Sequence, residues 1–113
     1  MEHVKRIANQ KAHEHVSRRE PFKGSNLYAE YRTVKQDSFR EAIREALGEP
    51  LEVYAVFSYG EHFPIYAFKA GQWFRNKDKY SVTTSKHQSQ ARPWDVSHFT
   101  DLDTDGIKAV CGL

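Results

Sequence analysis

Serine, histidine and aspartate side chains that could act on a substrate occur throughout this chain, and their neighbours decide what chemistry is open to them. Ser58, His62 and Asp78 supply the types of a nucleophile, a base and an orienting carboxylate. No G-x-S-x-G elbow presents the serine, and nothing near His62 orients its ring. His13 and His15 flank Glu14, but residues two apart on a helix point roughly 200° from each other and cannot share a tetrahedral ion. Asp101-Leu102-Asp103-Thr104-Asp105-Gly106 matches the first half of a calcium loop, D-x-D-x-D-G. The twelfth position, where a bidentate glutamate belongs, is Gly112, so the segment reads as a polar turn before a short strand from Ile107 to Cys111. Gly60, Gly71 and Gly106 are isolated turn glycines and build no phosphate loop. Paired carboxylates in apolar surroundings are absent from the pattern. The expectation is a protein with no catalytic residues, no metal site and no cofactor.

Binding chemistry has a better candidate in Asn76 to Arg92, the polar stretch before Pro93. Thr83 or Thr84 is a natural N-cap, and SKHQSQAR after it reads as a short helix with almost nothing apolar to bury. Free backbone N–H groups at its start, beside hydroxyls, Lys86 and His87, are the ingredients of an anion site. Side chains that donate in pairs can also address phosphates or base edges. The competing reading is an ordinary capped surface helix whose His87 packs on an aromatic ring. The residues expected to contact a partner or an anion are Lys79, Tyr80, Thr83, Thr84, Lys86, His87, Gln90 and Arg92. A second contact face is expected at Tyr54 and Tyr66, where phenols bring large area and a polar tip.

These groups need a scaffold, and the stretch from Leu51 to Pro93 supplies its centre. Apolar runs at Val53 to Tyr59 and Phe63 to Phe68 face each other across Gly60-Glu61-His62, and Trp73-Phe74 follows the turn Ala70-Gly71. Three strands at hairpin distance make an antiparallel meander. Alternation puts Val53, Ala55, Phe57 and Tyr59 on one face and Tyr54, Val56 and Ser58 on the other. Phe22 to Thr33 alternates around Leu27, Ala29 and Tyr31 and reads as a fourth strand, with Gly24-Ser25-Asn26 able instead to cap a short helix. Residues 3–19 read as a helix with a thin stripe of Val4, Ile7, Ala8, Ala12 and Val16, ended by Pro21. Residues 38–47 read as an amphipathic helix opened by the Ser38/Glu41 capping box and stopped by Gly48 and Pro50. The predicted architecture is a single α+β domain over residues 1–113: a three- to four-stranded antiparallel meander with two helices packed on one face.

Composition fits one modest core in a well-solvated protein, with 39% hydrophobic, 13% aromatic and 28% charged residues and a mean hydropathy of −0.77. No run approaches the roughly 20 apolar residues of a membrane helix. MEHVKRIANQ lacks the apolar segment of a signal peptide, so no signal peptide is expected, and no membrane partner is expected either. A single cysteine, Cys111, suits a reducing cytoplasm. The net charge of +2 is unevenly spread, with basic stretches over 1–35 and 69–92 and an acidic one from Asp95 to Asp105.

The blocks GSNLYAEY, YAVFSYGEHFPIYAF and NKDKYSVTTSKHQSQARP, with Trp73 between the last two, resemble the pattern of a group of small proteins encoded by bacteriophages, prophages and plasmids. The resemblance covers a little over half the chain and is strongest from Tyr59 to Gln88. The helix between Tyr31 and Val53 and the acidic tail lie outside it. It implies a setting, a mobile genetic element in a bacterial cytoplasm, and no mechanism. The function expected on these grounds is a non-catalytic protein that occupies a host protein or complex, as an inhibitor of host defence such as an anti-CRISPR protein would. The alternatives are a nucleic-acid-binding accessory protein using 69–92, and a small enzyme with an anion site at 83–87. Oligomeric state is left open.

Overall fold

The computed structural model describes residues 5–33, 52–79 and 81–113. Within them the chain is an α+β fold built on a seven-stranded sheet whose strands lie side by side in chain order. The strands are β1 (Lys5–Arg6), β2 (Phe22–Lys23), β3 (Leu27–Thr33), β4 (Glu52–Ser58), β5 (Pro64–Lys69), β6 (Gln72–Asn76) and β7 (Thr100–Leu102). The helices are α1 (Ala12–Ser17), α2 (Val82–Gln90) and α3 (Thr104–Val110). From β2 to β6 every pairing is antiparallel, while β1 joins β2 and β7 joins β6 in parallel.

The predicted meander is therefore the centre of a wider, mixed sheet. The outer strands escaped the sequence because pieces of two or three residues are too short to alternate. Residues 3–19 are not one helix. Lys5–Arg6 pairs with Phe22–Lys23, the Ile7 N–H donates to Lys23 O at 3.0 Å, and a 3-10 turn at Asn9–Lys11 leads into α1. A stripe as thin as Ile7, Ala8 and Ala12 stabilises a helix weakly, and ladder bonds satisfy the same backbone groups. The Ile107 to Cys111 segment is likewise helical rather than extended. Asp103 caps it by accepting the Gly106 N–H at 2.7 Å, and Ile107, Val110 and Cys111 then repeat at helical spacing toward the sheet. The helix over 38–47 lies outside the described residues.

Central β4 is buried from Val53 to Ser58, and its alternation sorts two cores as the pattern predicts, except at Tyr59. Tyr59 lies past the strand with a φ of 66° and packs on His87 beside Ser58 instead of joining Val53, Ala55 and Phe57. Tyr54 and Val56 join Ala12, Val16, Phe22, Leu27, Ala29, Ile65, Tyr66, Trp73, Ala91 and Phe99 on the face covered by α1 and α2. Val53, Ala55, Phe57 and Ala67 meet Ile107 and Cys111 of α3 on the other face. Helices thus cover both faces, not one. A bulge adjusts the register between β4 and β5: Val56 pairs with Tyr66 and Phe57 with Pro64, so Ile65 is an extra residue and both it and Tyr66 reach the first core.

Candidate functional site

Helix α2 crosses the first face of the sheet and holds most of the predicted contact residues. Its N-cap is Ser81, not Thr83 or Thr84: the Ser81 hydroxyl accepts the Thr84 N–H at 3.1 Å, and the helix starts at Val82. Starting there, the turns aim Thr84, His87, Gln88 and Ala91 inward. Thr84 and His87, read as anion-contacting groups, are interior at 1% and 4% exposure. Thr83 and Lys86 are exposed, and Gln90 is half-buried with its Oε1 enclosed and unpartnered among the described residues. Tyr80 lies outside the described residues.

His87 sits over the Tyr59 ring with centroids 5.5 Å apart, and its two nitrogens are engaged in a way that fixes its proton. Asn9 Oδ1 accepts the Ser25 N–H and Asn9 Nδ2 donates to Ser25 O, both at 2.9 Å, so the amide cannot be turned round. The same Nδ2 faces His87 Nε2 at 3.5 Å. With Nε2 assigned as the acceptor, the proton lies on Nδ1 and is donated to Ser58 Oγ at 2.7 Å. Activation of a serine needs the opposite polarity, a ring nitrogen that takes the hydroxyl proton. Burial, then the nearby Lys86 charge, lowers the imidazole pKa below 6.5, so the ring is neutral at pH 7 and offers an anion no charge. Gly24 is needed beside this arrangement, because a Cβ there would stand 2.3 Å from Asn9 Oδ1. No sequence signal pairs Asn9 with a histidine 78 positions on.

The second expected face is also interior. Tyr54 is 1% and Tyr66 2% exposed, their hydroxyls donating to Glu20 O at 2.7 Å and Gln88 O at 2.6 Å. Burial pushes the Tyr66 phenol up to about 12 and that of Tyr54 higher still. Alternation placed both rings correctly, and the coil after α1 and the helix α2 then sealed them from water.

Exposed cations gather instead where β6, α2 and β7 meet, around a cleft of about 300 Å³ lined by Tyr66, Arg75, Asn76, Lys77, Lys79, Gln88, Ser89, Arg92 and Asp101. Gln88 holds its walls together: Nε2 donates to Asn76 O at 3.2 Å and Asp78 O at 3.0 Å, while Oε1 accepts from Lys79 Nζ at 3.1 Å. Asn76, buried beneath, donates to Pro64 O at 2.8 Å and Thr104 Oγ1 at 3.1 Å. Asp101 receives a fork from Arg75, Nε to Oδ1 at 2.7 Å and the terminal nitrogen to Oδ2 at 3.1 Å, which holds its carboxyl below the usual carboxylate range. The Arg75 and Arg92 guanidinium carbons lie 4.9 and 5.8 Å from the Phe99 ring centroid. Lys79 and Arg92 of the predicted set thus share a site with Arg75 and Lys77, which belong to the same basic stretch 69–92. Asp101, read as part of a calcium-like turn, faces Arg75, while Asp103 caps α3, so the two carboxylates serve different partners.

Ser58 and His62 border one cavity, but Asp78 is not with them: Ser58 bonds His87, and Asp78 Oδ2 accepts the Thr104 N–H and hydroxyl, each at 2.8 Å. His15 Nδ1 lies 3.2 Å from Glu20 Oε1, and His13 packs edge-on to Trp94. No described helix is long and apolar enough to cross a membrane. Comparison with known protein families, with curated proteins and with solved structures finds no match.

Proposed function

We propose that this chain is a non-catalytic binding protein of a mobile genetic element that acts by occupying a partner, and that the partner presents phosphates to the cleft between β6, α2 and β7. The observation that carries this reading is that, among the described residues lining the cleft, four cations converge against one carboxylate, Asp101, whose two oxygens are already taken by Arg75. Convergence of Lys and Arg on one surface is the electrostatic footprint of a phosphate-bearing polymer. Lys77, Lys79 and Arg92 are the charges left for it. Three neutralised phosphate charges give a log–log salt slope of about −2 on single strands and about −2.7 on duplex, so affinity should fall about 20- to 40-fold between 50 and 200 mM salt. A gel-shift titration with random single-stranded and duplex DNA at both salts tests this. Retardation with that slope, weakened by Arg92→Glu, is expected; no retardation at micromolar protein removes the nucleic-acid reading.

A protein partner, as for an inhibitor of host defence of the anti-CRISPR kind, is supported by a different surface. Val82 is 90% and Tyr59 49% exposed, and Tyr59 borders a second cavity of about 320 Å³ with Ser58, His62, Phe63 and Ser81. Binding anchored there would change little with salt, would fall on Val82→Asp, and would be found by pull-down from host lysate.

A further inference from the structure

We propose that the cleft between β6, α2 and β7 recognises a phosphomonoester, the terminal phosphate of a nucleotide or of a nucleic-acid strand, in preference to an internal phosphodiester. This rests on the cleft being the phosphate-binding site argued above. Size is the first reason. At about 300 Å³ the cleft stands at the lower end of small-molecule sites, which run from about 300 to 1,000 Å³, and is of a size for one nucleotide-sized group.

Charge is the second reason. A track for internal phosphates distributes cations along a groove, each meeting one negative charge. Here Lys77, Lys79 and Arg92 border one small cavity. None of the three forms an ion pair with a carboxylate among the described residues, and Lys77 acts on Asp78 and Asp101 only through its field, which adds to the hydrogen bonds from Thr104 and Arg75 in lowering both their pKa values. A phosphomonoester carries about −1.5 to −2 charge at pH 7 and three strong acceptor oxygens, so it can use three cations that a diester could not.

The donor geometry agrees. Lys79 Nζ gives one of its three protons to Gln88 Oε1, which places the ammonium at the cleft wall with two donors left. Arg92 leans on Phe99 with its fork of donors uncommitted to any acid among the described residues. Asp101 would repel an anion if its oxygens were free, but both accept from Arg75, so the pair forms a nearly neutral edge beside the open cations. Tyr66 at the cleft wall is uncharged, with its hydroxyl turned to Gln88 O.

The experiment measures binding of four probes by calorimetry at low salt: thymidine, thymidine 5′-monophosphate, and a short oligothymidylate with and without a 5′-phosphate. The expected result is that each phosphorylated probe binds at least about tenfold tighter than its unphosphorylated counterpart. Arg92→Gln or Lys79→Gln should shrink that ratio to below about threefold, whereas Lys23→Gln, an exposed lysine on β2 away from the cleft, should leave it unchanged. Thermal melts of each variant establish that it is folded. If the monophosphate matches the phosphorylated oligomer, the ligand is a free nucleotide; if the oligomer is tighter, it is a strand end. Equal binding of the two oligomers, still lost with Arg92→Gln, overturns the phosphomonoester proposal and leaves the phosphate-binding function standing. Absence of binding by every phosphorylated probe overturns both.

Discussion

The imidazole of His87 is held by Ser58, Asn9 and Tyr59, and its protonation state links the seat of α2 to pH. Folding keeps the ring neutral, since burial and then Lys86 lower its pKa from 6.5, while the unfolded chain takes up a proton near that value. Below about pH 6.5 the unfolded state therefore binds more protons, and stability must fall as pH drops; above it the contribution is fully present. Urea unfolding at pH 7, 6 and 5 should show this decline, up to about 1.4 kcal/mol per pH unit from one group. His87→Gln should be less stable at pH 7, because Ser58 and Asn9 lose a fitted partner, and its pH slope should be shallower than wild type by that one-proton share. An unchanged slope would mean that the ring titrates normally and is not sealed. Sequence alone could not separate this buried histidine from a surface one. Its immediate neighbours are Lys86, Gln88 and Ser89, all polar, and the groups that bury it come from positions 9, 58 and 59.

At the scale of elements, the β4–β5 and β5–β6 hairpins were the legible part, while Phe22 to Thr33, read as one strand, is the antiparallel pair β2 and β3 turned at Gly24 to Asn26. Ala70-Gly71 joins β5 to β6 with φ of 52° and 77°, and Lys69 pairs with Gln72, so the loop is a two-residue turn with both central residues left-handed. That is the type I′ geometry matching the twist of the strands, and asparagine, not alanine, is the favoured first residue. Ala70→Asn should therefore stabilise the fold by about 0.5–1 kcal/mol, raising Tm by about 2–5 °C. A fall in Tm would place the strain elsewhere in the hairpin. The helices were less legible because their ends depend on caps whose competition is settled in three dimensions. Ser81, Thr83 and Thr84 are all good caps by type; Ser81 wins because starting there turns Thr84, His87 and Gln88 to the sheet. For α3 a readable signal existed, an aspartate three residues before Gly106 followed by Ile107, Val110 and Cys111, but the overlapping calcium-like spacing competed with it. The basic cleft was half visible: the stretch 69–92 marked its cations, while Asp101 and the wall-forming role of Gln88 needed the pairing of β6 with β7 and the seat of α2.

For the molecule as a whole, a sheet buried on both faces ties its parts into one unit, and Cys111 reports on that coupling. Among the described residues the second face of the sheet is covered by α3, where Ile107 and Cys111 pack on Val53, Ala55, Phe57 and Ala67. Those four belong to β4 and β5, which also carry Tyr54, Val56, Ile65 and Tyr66 into the first core. Detaching α3 would bare the middle of the sheet to water, so its opening should cost nearly as much as unfolding everything. The thiol is 2% exposed and burial pushes its pKa up to about 11, so it is inert to a disulfide reagent until that opening occurs. Labelling of Cys111 in rising urea should then give an opening free energy within about 1 kcal/mol of that from circular dichroism, with a matching slope. Ile107→Ala, which empties the centre of the second core, should lower both values together by about 2–5 kcal/mol. Labelling that proceeds several kcal/mol below global unfolding, with a small slope, would show that α3 lifts off alone and that the two cores are not one cooperative structure.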